Sequence, residues 1–194
     1  MIPLPAYGYL MKRLLLGLLP LLLYFWGLFP GSICAGEDFL TEKEIEAIQE
    51  NQEISERVKL YLQFAETRLK SAEDRLNGLE TVEGDPFELL TPEQMLDGYY
   101  RIIRSVMLNM DDAYRNPNPR MRPKLRQALK TLKTETAKSS KQLEILKTIA
   151  EEKRNEELWN LVNKAIDVTN GAREGAEFGL SQYSEPDAKK SKAR

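Results

Sequence analysis

Histidine is absent from this chain of 194 residues, and cysteine occurs once, as Cys34. Those shortages remove whole classes of chemistry. Without histidine there is no His-ligated haem, no Ser-His or Cys-His nucleophile, no Cys/His zinc site and no Glu-x-x-His di-iron pattern of ferritin-like bundles. A lone cysteine forms no intramolecular disulfide, so no stapled scaffold is expected. Alternating β-branched runs are missing too, which leaves no credible strand. An enzyme would have to work with Asp, Glu, Lys, Tyr, Ser or Thr, and no paired-carboxylate site stands out among 30 acidic residues. Neither enzymatic activity nor a cofactor or metal is expected.

What is present begins with an address. Read from Met11, Lys12 and Arg13 precede an uncharged apolar stretch from Leu14 to Phe29, followed by Pro30, Gly31 and small residues. That is the order of a signal peptide, and residues 1–35 are read as one, with Met11 as the true start and cleavage near Ala35. The stretch falls short of the roughly twenty residues a spanning helix needs and contains Pro20, so a retained membrane anchor is the second reading. Lipidation of Cys34 fits less well, because Ile33 stands where a small residue belongs. On this reading the cysteine is discarded, and about 160 residues remain, enough for one domain.

The remainder reads as helix throughout. Thr41-Glu42-Lys43-Glu44 is a capping box, and the first helix is expected to run from there to Asn77, with Gly78 as its left-handed stop. Leu62, Ala65, Leu69, Ala72, Leu76 and Leu79 form its seam, while Ile45, Ile48, Ile54 and Val58 mark another face. Thr91-Pro92-Glu93-Gln94 opens a second helix to about residue 115, in which Gly98 signals a close contact or a kink, or is simply tolerated. Pro117 and Pro119 break the chain, Pro123 reopens it, and a turn or kink is expected between Glu151 and Asn155 before a fourth helix. Trp159 should lie at the edge of that helix's apolar face, at least half buried.

Two features invite a functional reading. Gly171, Gly175 and Gly179 stand four apart, a spacing that on a helix lets another backbone come close. They mark a cap and frayed end at Asn170-Gly171, a tight contact within the molecule, or a self-association face. Charge is also uneven: Glu37 to Glu56 holds eight acids and one base, Arg115 to Lys133 seven bases and no acid. Basic residues at a helix start oppose its dipole. The expectation is that Glu42, Glu46, Glu50 and Glu53 face Arg120, Arg122, Lys124 and Arg126, with an anion or nucleic-acid site at those four basic residues as the rival use and simple solvation as the remaining reading.

The sequence thus implies an all-α, elongated up-and-down bundle of three to four helices over residues 36–184, after a signal peptide and before a disordered basic tail at 185–194. Its expected role is that of an exported, periplasmic or secreted protein of the bacterial envelope, a non-enzymatic adaptor, scaffold or holdase-like binder acting by protein contact. Its expected partner is another protein, self-association is possible, nucleic acid is not the first choice, and the membrane is met only through the leader. No family motif stands out.

Overall fold

The computed structural model describes residues 39–79, 83–115 and 119–183. The leader, Cys34 and the basic tail lie outside them. The described residues are all-α, with five helices and no strand: α1 (Glu42–Glu50), α2 (Ile54–Leu76), α3 (Pro92–Arg115), α4 (Arg122–Glu152) and α5 (Glu156–Gln182), with a 3-10 turn at Pro119–Met121 before α4.

Local chemistry accounts for most boundaries. Glu44 N–H donates to the Thr41 hydroxyl at 3.3 Å while the Glu44 carboxylate accepts from Thr41 N–H at 2.8 Å. Thr91 and Gln94 repeat the box at 2.9 and 3.2 Å. Asn155 caps α5 by accepting from Leu158 N–H at 3.0 Å. Gly78 ends α2 with φ of 80°, and Leu79, expected in the seam, lies exposed beyond it.

The four long helices share one core. α2 packs on α3 and on α4, and α5 packs on the same two, so the consecutive helices α3 and α4 lie across a diagonal. Arg57 bonds Asn109, and Arg68 passes Gly98, so α2 and α3 run antiparallel. Glu53 meets Lys124 and Glu73 meets Gln142, so α2 and α4 run parallel. α4 and α5 are antiparallel, with Lys133 against Glu177 and Trp159 near Glu151. The Thr136 hydroxyl, fully buried in the α4 seam, is satisfied by donating to the Leu132 carbonyl at 2.6 Å. Trp159 sits at the edge, 39% exposed.

One expected element is corrected. The first helix is not continuous, because residues 51–53 break it and α1 doubles back along α2. The cause is a buried ion pair. The Arg68 guanidinium, on a residue 2% exposed, holds the two Glu44 oxygens at 2.7 and 2.8 Å and also donates to the Phe39 carbonyl. In an unbroken helix residues 44 and 68 would stand roughly 36 Å apart, at about 1.5 Å per residue. Asn51 supports the break by turning its amide onto the Ala47 carbonyl at 2.8 Å. Gly98 is explained by the same arginine: α3 continues through it as one helix, and a Cβ there would meet Arg68 Cδ and Nε at 3.1 Å.

Candidate functional site

α3 and α5 run side by side in the same direction, and the seam between them differs from one end to the other. Toward their N-terminal ends it is filled. Lys164 lies over the Tyr100 ring at 4.1 Å and within 3.9 Å of Asp97, and inside them the Tyr99 phenol and the Thr169 hydroxyl are 2.7 Å apart. Because the Thr169 hydroxyl already donates to the Ala165 carbonyl at 2.6 Å, Tyr99 is the donor of that pair. Burial pushes the Tyr99 phenol above its ordinary pKa.

Farther along, glycine replaces side chain on the α5 side and the seam opens. The result is a groove of about 420 Å³, floored by Leu129 and Leu132 of α4. Gly171 comes no nearer than ordinary contact, its Cβ position lying 3.9 Å from the end of Met107, and a Cβ at Gly175 would meet nothing within 4 Å. Leu108 and Phe178, 63% and 67% exposed, stand on the two walls, and Met107 and Tyr114 add further exposed apolar surface on α3. Tyr114, which lines the groove, makes an edge-to-face contact with Tyr183, with ring centres 6.2 Å apart. Burial raises the Tyr183 phenol pKa, with Tyr114 adding to the shift and Arg122 opposing it. Arg104 and Asp111, both exposed, are the charged residues of the rim. A concavity of this size and apolar lining can hold a ligand or an anchoring side chain.

The three glycines therefore divide. The helix continues to Gln182 rather than fraying at Asn170-Gly171. Gly179 makes the tight internal contact, its Cβ position 3.0 Å from both δ-carbons of Leu129, whereas Gly171 and Gly175 shape the groove.

The basic segment is placed differently from expectation. Glu53 of the acidic set pairs with Lys124 of the basic set at 2.8 Å. The lysine, then the Ser55 hydroxyl, hold the Glu53 carboxyl below its ordinary pKa. The hinge at 51–53 explains why the facing stops there, since Glu42, Glu46 and Glu50 leave with α1 while Glu53 stays at the start of α2. Arg120, in the 3-10 turn, and Arg122 and Arg126, in the first turns of α4, are exposed.

A second concavity, between α2 and α4, is lined by charges of both signs, among them Glu56, Lys59 and Glu66. Among the described residues no group of three or more His, Cys, Asp or Glu side chains is placed to hold a metal ion, and no helix is long and apolar enough to cross a membrane. No protein-family model, curated protein or solved structure matches the chain.

Sequence reasoning singled out Gly171, Gly175 and Gly179 but not the residues across from them. Met107 and Leu108 follow the buried Val106 on α3, and their outward position was the available signal.

Proposed function

We propose that this is an exported, non-enzymatic helical-bundle protein of the bacterial envelope that works by contact, as an adaptor, scaffold or holdase-like binder, and that the α3–α5 groove takes its apolar guest. The observation that carries this reading is the coincidence of an open concavity with exposed large apolar side chains on both walls, Leu108 and Phe178 above all. Contiguous apolar surface of this kind marks interaction sites on folded proteins. The apolar leader after Lys12 and Arg13 supports export. The rival use of Arg120, Arg122, Lys124 and Arg126 as an anion site has less support, because Lys124 is engaged by Glu53.

Gly175→Leu tests the groove. A Cβ at that position would meet nothing within 4 Å, and the position lines the groove, so a leucine there should occupy groove space. Leucine also exceeds glycine in helix propensity by roughly 0.8 kcal/mol. In dilute solution, where no second macromolecule covers the groove, the wild-type protein should enhance the fluorescence of N-phenylnaphthylamine, an uncharged apolar dye, and the variant should lose that binding while melting no lower. Unchanged dye binding in the variant rejects the groove as the site.

A further inference from the structure

We infer that the partner received by this groove is the same groove of a second copy of the chain, packed face to face about a two-fold axis lying in the interface and running across the helices. The inference rests on the groove being a docking site, and it names the occupant. Arg104 and Asp111 stand two helical turns apart on α3, both exposed at the groove rim, with Met107 and Leu108 midway between them. An axis crossing α3 between Met107 and Leu108 sets the helix antiparallel to its copy. Arg104 then lies over Asp111 of the second copy, and Asp111 over Arg104 of the second copy. Their present partners are exposed contacts within α3, Arg104 with the Tyr100 hydroxyl at 3.4 Å and Asp111 with Arg115 at 3.2 Å, weak enough to share or exchange.

The same axis suits α5. Because Met107 is level with Gly171 and Tyr114 with Tyr183, an axis between Met107 and Leu108 crosses α5 within residues 171–177. Gly175 lies in that interval, and two glycine-containing faces can approach there without a side chain between them. Phe178, one turn beyond Gly175, then meets the notch beside Gly171 of the second copy, and the reverse holds for the other aromatic ring. Each chain thus supplies one aromatic anchor and one notch, one cation and one anion, at matching distances from a common centre. That reciprocity is what an isologous interface requires, and the opposite charges at its edge set the register. An apolar small molecule would use the groove but not the paired charges.

Charge exchange tests the arrangement in the full chain, expressed with its own leader and recovered as the cell releases it. Sedimentation equilibrium over a concentration series should give a dimer. Arg104→Asp and Asp111→Arg each place two like-charge contacts in the interface, and each should raise the dissociation constant roughly tenfold to a hundredfold. Mixed in equal amounts, the two variants should pair with one another at close to wild-type strength, because every cation again meets an anion. Recovery on mixing cannot come from a chain that fails to fold. A wild-type monomer at all concentrations, a dimer indifferent to both substitutions, or no recovery on mixing would overturn the second copy as occupant. N-phenylnaphthylamine separates the two claims: a monomer that still binds the dye, and loses it with Gly175→Leu, keeps the groove as a site without a second copy in it.

Discussion

Removing the guanidinium of Arg68 should destabilise the fold more than any change on its surface. The side chain holds both oxygens of Glu44, donates to the Phe39 carbonyl and to the Phe64 carbonyl at 3.1 Å, and lies 4.8 Å from the centre of the Phe87 ring. Arg68→Met leaves a carboxylate on a side chain only 10% exposed with a single hydrogen bond, from Thr41 N–H. Breaking a buried pair from one side costs about 3–5 kcal/mol. At 2–4 °C per kcal/mol for a domain of this size, the melting temperature should fall by roughly 6 to 20 °C. Replacing both partners, with Glu44→Leu added, removes the stranded charge and should restore most of the loss. About 1 kcal/mol should still be missing, because the capping box at Thr41 goes with the carboxylate. Gly98 supplies an internal control. With Arg68 present, the Cβ of Gly98→Ala meets the arginine at 3.1 Å; with Arg68→Met the same change should gain up to about 1 kcal/mol of helix propensity. Thermal melts followed by far-UV circular dichroism give all four values. A fall of less than about 2 °C for Arg68→Met, or a double variant as damaged as the single one, would refute the claim that this pair folds α1 back.

Two further outcomes follow from particular residues. The buried Tyr99 phenol keeps its proton above the ordinary tyrosine range, so the stability it contributes is complete below about pH 10 and is lost as pH rises through its folded pKa. Tyr99→Phe should cost about 1 kcal/mol near neutral pH and lose less stability than wild type above pH 10, as read by urea unfolding; equal alkaline loss in both would contradict the assignment. The released protein should begin at Gly36 or Glu37, and Cys34→Ser should leave export intact, as read by intact mass. A full-length mass would identify a retained anchor, and a mass increased by a diacylglyceryl group would identify lipidation.

The all-α class and most helix ends were legible in the sequence because they depend on residues within one turn of each other. Thr41 with Glu44, Thr91 with Gln94 and Asn155 with Leu158 need only their own neighbours to form. The prolines between α3 and α4, and Gly78 after α2, act equally locally. What the tertiary structure decided involves partners far apart in the chain, where local pattern carries no information. Residues 51–53 contain neither proline nor glycine, and they break the helix because Glu44 is held by an arginine 24 residues away. That single turn also removed three of the four carboxylates expected beside the start of α4, leaving Glu53 with Lys124. The glycine spacing on α5 was visible, but a missing side chain means something different in each surrounding. Against Leu129 it makes Gly179 a tight contact; beside the outward-facing Met107 and Leu108 of a parallel neighbour, it makes Gly171 and Gly175 a groove.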